Sequence, residues 1–146
     1  MPQVNPQVSH HAEATAVRHV EVAILGAGFA GIGAAIRFKQ AGITDFVVLE
    51  KASEIGGVWR ENTYPGCACD VPSALYSYSF APNPNWSRMF AEQAEIKTYL
   101  QDTAERFGVM PYVNLNHEML ESHWDDQQKH WVVQTSAGVF FARFVV

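Results

Sequence analysis

"VEVAILGAGFAGIGAAIRFKQAGITDFVVLEK", residues Val20 to Lys51, decides the fold. Val20–Leu25 is a short, β-branched apolar run, the pattern of a strand buried on both faces. Gly26-Ala27-Gly28-Phe29-Ala30-Gly31 follows at once. Ala30, Ala34, Phe38 and Ala41 then recur with helical spacing along one face, and Gly42 is placed to end that helix in a left-handed turn. A second buried strand, Phe46–Leu49, ends on Glu50. Strand, glycine loop, helix, strand and acid make one βαβ unit, with parallel strands joined by a right-handed crossover.

The glycines have separate tasks. Gly26 permits the tight turn out of the strand, Gly28 lets backbone approach a pyrophosphate, and Gly31 lets the helix lie close to the sheet. Amides at the helix start, with the positive end of the helix dipole behind them, then face the phosphates. The spacing alone is weak evidence; its place between a strand and a helix, with an acid after the second strand, is the confirming context. A carboxylate at Glu50 can accept both hydroxyls of an adenosine ribose and repel a 2′-phosphate, which points to FAD or NAD rather than NADP. The other reading of Glu50 is a solvated acid beside Lys51.

Downstream, Gly56–Arg88 has no regular period and is interrupted by Pro65, Pro72, Pro82 and Pro84. An ordered loop of that length in a compact domain is usually functional. The helical period returns over Glu92–Phe107, where Ile96, Tyr99, Leu100, Thr103 and Phe107 share a face and Gly108 is the stop. Val113–Leu115 reads as a third short parallel strand. Met119–Trp124, His130–Thr135 and Val139–Val146 read as a three-stranded antiparallel meander with turns at 125–129 and 136–138. Phe144, Val145 and Val146 also read as the start of a buried strand. A terminal carboxylate there would be costly without a partner, so a truncated domain is expected. The fold expected is therefore α/β: a Rossmann-like domain with a parallel sheet and an antiparallel meander, incomplete at its end, over 19–146. Residues 1–18, polar with two prolines, are expected to be a flexible tail.

Composition narrows the function classes. With 15 acidic against 10 basic residues and a net charge of −5, there is no basic face for nucleic acid. Val22–Ile36 is too short and too glycine-rich to span a bilayer, and the first residues lack the basic start and apolar run of a signal peptide. Cys67 and Cys69 are one residue apart, a poor spacing for pairing with each other, and no second cysteine pair suggests zinc. Reduced structural thiols in a cytoplasmic protein, with no metal, are expected.

Beyond the glycine loop, the stretches "GAGFAG", "VVLEK", "GGVWRENTYPGCACDVPSALYSYSF" (Gly56–Phe80), "EIKTYLQDTAERFGV" and "ARFVV" together resemble the flavin-dependent monooxygenases, most closely the Baeyer–Villiger type and its flavin-containing relatives. The resemblance implies an FAD-binding Rossmann domain. Gly26, Gly28, Phe29, Ala30 and Gly31 would line the diphosphate loop, and Glu50 would hold the ribose. Gly57, Val58 and Trp59 would run beside the ribityl chain and ring. Asp70 and Tyr76 would lie near the flavin, with Asp70 also toward the nicotinamide of NADPH as the catalytic candidate, and Met119 would contact adenine through its backbone. The activity implied is FAD- and NADPH-dependent: a flavin C4a-peroxide passing one oxygen atom from O2 to a ketone, amine or sulfide. Taken on their own, Gly56-Gly57 and Pro65-Gly66 read equally as turns, Trp59 as packing, and Asp70 as a backbone hydrogen-bond acceptor.

The chain departs from the family pattern in lacking a second glycine motif for NADPH, the F-x-G-x-x-x-H-x-x-x-W linker signature and the later arginine near the flavin. These are expected in a missing remainder of the same polypeptide. A non-catalytic FAD- or NAD-binding module is the alternative, and an NAD-dependent dehydrogenase domain a weaker one that leaves the aromatic loop unexplained.

Overall fold

The computed structural model describes residues 17–146, so the expected tail lies almost wholly outside the described residues. Its last two positions do not: Val17 and Arg18 already pair with Val139 and Phe140. The elements run β1 (Val17–Leu25), α1 (Phe29–Gln40), β2 (Phe46–Leu49), α2 (Val58–Glu61), α3 (Gln93–Arg106), a 3-10 turn at Met110–Tyr112, β3 (Val113–Asn114), β4 (Met119–Asp125), β5 (His130–Thr135) and β6 (Gly138–Val145).

The six strands of the described residues form one mixed sheet in the order β3-β2-β1-β6-β5-β4. β1 is parallel to β2, with Val22 opposite Phe46 and Leu25 opposite Leu49, and parallel to β6 on its other side. The meander β4-β5-β6 is therefore not a separate layer. Its last strand doubles as the fourth parallel strand, beside β1, β2 and β3, a dual role that local alternation does not reveal.

Val22, Ile24, Phe46 and Val48 on one face of the sheet pack against Ile32, Ala35 and Ile36 of α1 and Leu100 and Ala104 of α3. The face expected for α1 is thus corrected. The buried stripe is Gly31, Ile32, Ala35 and Ile36, while Ala30 and Ala41 are exposed and Ala34 and Phe38 half-buried. Bulky Ile32 and Ile36 remove more apolar area from water than the alanines do, and they take the sheet side. α3 agrees with expectation: Ile96, Tyr99, Leu100 and Thr103 are buried, with Glu92 and Phe107 as the capping residues. Lys39 reaches across to donate to the carbonyls of Phe107 and Gly108 at 2.9 and 2.8 Å, filling orphan acceptors at the end of α3.

The end of β6 departs from the sequence expectation as well. Phe144 and Val146 are 50% and 56% exposed, not buried. Backbone pairing continues nonetheless: Val146 donates to Ala23 O at 2.9 Å and accepts from Leu25 N at 2.8 Å. Among the described residues no helix is long and apolar enough to cross a membrane, and no group of His, Cys, Asp and Glu could hold a metal ion.

Candidate functional site

At the carboxyl ends of β1 and β2 lies a groove of about 350 Å³, walled by Gly26, Gly28, Glu50, Gly57, Val58, Arg60, His117 and Met119 among others. This is where an open α/β sheet places a ligand. Gly28 is the N-cap residue of α1, with no side chain capping the helix and no acid in its first turn. The first-turn amides have no acceptor within the helix, so this helix end presents donors and positive potential to the groove.

Two close backbone contacts build the floor. A Cβ on Gly31 would fall 1.9 Å from Gly26 O, so only glycine lets α1 start directly beneath the turn. Gly57 holds φ +54°, and a Cβ there would stand 2.9 Å from Gly28 Cα. Gly56 N donates to Ala27 O at 3.0 Å. The second glycine pair thus lies against the first glycine loop, backbone to backbone.

Glu50 is 3% exposed. Its Oε2 accepts from Ala27 N at 2.8 Å, and its Oε1 from Ala52 N at 3.0 Å and Arg60 Nη1 at 2.9 Å. Burial by itself would raise its pKa; the Ala27 and Ala52 amides and the Arg60 guanidinium outweigh that and hold the carboxyl below its ordinary value. Three of about four acceptor positions on the carboxylate are therefore taken by the protein. Glu50 thus fixes the glycine loop through Ala27 N, with one acceptor position not taken by these donors.

Arg60, which the sequence reading passed over, ties this corner together: besides Glu50 it donates to Glu54 O at 2.8 Å and to Glu61 Oε1 at 2.8 Å. The i to i+10 separation from Glu50 carries no local periodic signal. Only the fold brings the two together.

The groove gathers Gly26, Gly28, Glu50, Gly57, Val58 and Met119 from the expected set. The rest stand elsewhere. Ala30 is exposed on α1 and Gly31 is buried under the turn. Phe29 turns its ring to Tyr76 and Tyr78, with centroids 4.9 and 5.0 Å away. Trp59 buries its indole with Cys67, Cys69, Ala91 and Ile96 and donates to Tyr76 Oη at 3.0 Å. Gln93 at the start of α3 donates to the Trp59 carbonyl. Asp70 is exposed on the loop and outside the groove lining.

Around them the aromatic segment is fastened by hydroxyls. Tyr78 Oη donates to Phe29 O at 2.5 Å, and Tyr99 Oη meets Tyr78 N and Ala81 O at 2.8 Å each. Burial, with Tyr99 adding to it, pushes the Tyr78 pKa far up, so the phenol stays protonated as the donor to helix α1. Buried Ser73 ties 71–75 to the Arg88–Ala91 stretch through its hydroxyl.

A model of the NAD(P)-binding Rossmann-like domain matches residues 24–93, the span from β1 through the aromatic loop. A Baeyer–Villiger monooxygenase of Streptomyces coelicolor is 52% identical over 128 residues, covering 88% of this chain and 25% of the relative. One of Pseudomonas aeruginosa is 48% identical over 123 residues, 84% of this chain and 23% of the relative. An oxidised steroid monooxygenase bound to NADP superposes with a TM-score of 0.82 at 39% identity, covering 87% of this chain and 25% of that one. The open form of cyclohexanone monooxygenase gives 0.82 at 31% identity, covering 88% and 26%. The chain spans about a quarter of the length of the relatives it matches. In sequence and in fold it belongs to the Baeyer–Villiger type of monooxygenase.

Proposed function

We propose that the chain is the FAD-holding part of an FAD- and NADPH-dependent monooxygenase that transfers one oxygen atom from O2 to a small ketone, amine or sulfide. The observation that carries this reading is the uncapped start of α1 opening onto a groove walled by Gly26, Gly28 and Gly57. Those features fit an adenine dinucleotide. The α1 amides would hold the diphosphate, and Glu50's remaining lone pair a ribose hydroxyl. Met119, 40% exposed at the groove edge, would meet the adenine. A second cavity of about 320 Å³, between Pro82–Asn85 and Tyr99–Arg106, is lined by no glycine.

Val58, 57% exposed beside Gly57, would follow the ribityl chain. Trp59 and Tyr76 would act on the flavin end from behind, as the packed wall that keeps the Gly57–Val58 backbone in place. Asp70, exposed and adjacent to buried Cys69, would face the nicotinamide and orient a cation there. Bound in this cradle, FAD would supply the redox chemistry that activates oxygen; the protein's part is to position it and exclude water. Residues 19–146 would be one section of this FAD domain, with the NADPH site in the remainder of the polypeptide. A cytoplasmic location is proposed, where NADPH is available and the free, buried Cys67 and Cys69 stay reduced.

The test is to express the full-length parent, measure flavin absorbance, and follow NADPH oxidation with oxygen uptake. Bound FAD with substrate-stimulated oxidation is expected. A folded, flavin-free protein would overturn the reading, and FAD binding without any oxygenation would leave a nucleotide-binding module.

A further inference from the structure

Lys51, Arg60 and Glu61 line the groove beside Glu50. One atom, Glu61 Oε1, holds both cations: Lys51 Nζ at 3.2 Å and Arg60 Nη2 at 2.8 Å. Arg60 Nη1 is meanwhile committed to Glu50 at 2.9 Å. The two acids and two bases form a neutral quartet in which every cation is paired. Lys51 first, and Arg60 after it, hold the Glu61 carboxyl below its ordinary range, so the acid stays charged at neutral pH.

We infer that Glu61 is a specificity-determining residue: by occupying Lys51 and Arg60 it withholds both cations from a phosphate on the adenosine ribose, so the groove takes nucleotides with a free 2′-hydroxyl and rejects 2′-phosphorylated ones. The inference rests on the reading of the groove as a dinucleotide site. Glu50 cannot do this alone, because its charge is already compensated by Arg60. Without Glu61 the quartet turns net positive, and a guanidinium edge and an ammonium, the groups that bind phosphate best, open to the groove. Lys51 and Glu61 side chains are 60% and 46% exposed; exposed pairs of this kind contribute little to folding, so the acid can be neutralised without unfolding the site. The buried Glu50–Arg60 pair, at 4% and 12% exposure, stays in place.

The experiment titrates this chain, its Glu61→Gln variant and a charge-matched Glu105→Gln control on the exposed side of α3 with ADP and with 2′-phospho-ADP, by calorimetry at low and high salt. Near-ultraviolet circular dichroism checks that each folds. The wild type should prefer ADP. Glu61→Gln should shift the affinity ratio toward the 2′-phosphate by about tenfold, the size of one charge acting on a phosphate in a largely solvated setting. The shift should shrink with added salt, and Glu105→Gln should show none. An unchanged ratio in Glu61→Gln, or an equal shift in the control, overturns the inference. A wild-type chain that is folded and binds neither ADP nor FAD overturns the dinucleotide reading and this inference with it.

Discussion

The glycine loop at 26–31 and the aromatic loop at 56–90 wall the same part of the molecule but are held by different means. The first is fixed by backbone: Gly26 N on Leu49 O, Ala27 N on the Glu50 carboxylate, and α1 beginning beneath Gly26 O with no room for a Cβ. The second has one short helix, α2, and a few long-range backbone bonds, such as Cys69 N on Ala91 O and Ser73 N on Met89 O. It is fastened beyond them by side chains, with Tyr78 on Phe29 O, Trp59 on Tyr76, Ser73 on Met89 O and Gln93 on Trp59 O. A backbone-defined site tolerates almost no change in residue size. A side-chain-defined wall distributes its strength over many bonds, each worth about 1 kcal/mol, and should lose them one at a time.

The sharpest way to break this contrast is Gly31→Ala. A methyl at 1.9 Å from a carbonyl oxygen cannot be relieved by rotamer change, and a loss on the order of 4 kcal/mol or more is expected. Urea unfolding would show it, together with loss of FAD binding.

Next comes Glu50→Gln, which removes the charge from a buried pair and leaves Arg60 with only part of its compensation, at a cost of about 3 kcal/mol. Because folding lowers the Glu50 pKa, its contribution is complete above the ordinary carboxylate range and is lost as pH falls through the lowered value. Wild-type stability should therefore drop on acidification below about pH 4, and Glu50→Gln should flatten that slope. An identical acid profile in the two proteins would show that Glu50 is not the group responsible.

Gly57→Ala tests the seam between the two loops. The positive φ and the 2.9 Å approach to Gly28 Cα should together cost about 2 kcal/mol and weaken ADP binding, since the displaced backbone borders the groove. The smallest effect is expected from Tyr76→Phe, which strands the Trp59 indole N–H. A loss of about 1 kcal/mol in urea unfolding, with ADP affinity unchanged, would confirm that the aromatic wall supports the groove without touching the adenosine end. A large loss of ADP binding would contradict the division of labour between the loops.

The parts that could be read along the chain are those whose signal is local. β1, the glycine turn, α1, β2 and α3 were legible because burial on a regular element imposes a period of two or 3.6, and because Gly31 and Gly42 sit where the backbone requires them. The burial direction of α1 was misread. Alanine positions and isoleucine positions both recur at helical spacing, and only the sheet beneath decides which stripe faces inward. The exposure of Phe144 and Val146 was invisible for the same reason: an apolar strand end looks alike whether or not a helix covers it.

The candidate site divides similarly. The residues that approach by backbone, Gly26, Gly28, Gly57 and the amides of α1, announce themselves by glycine spacing. Those that act by side chain, Arg60, Glu61, Tyr78 and Ser73, do not, since their partners lie 10, 10, 49 and 16 residues away. Sequence by itself determined the βαβ unit and the position of its glycine turn, because steric limits on φ, ψ and Cβ act on neighbouring residues. Tertiary structure alone decided that the meander closes onto β1 and that Glu50 is already held by three donors. It alone decided, too, that the Trp59 ring is buried among Cys67, Cys69, Ala91 and Ile96. Those facts depend on which distant surfaces exclude water together, and no local pattern encodes that choice.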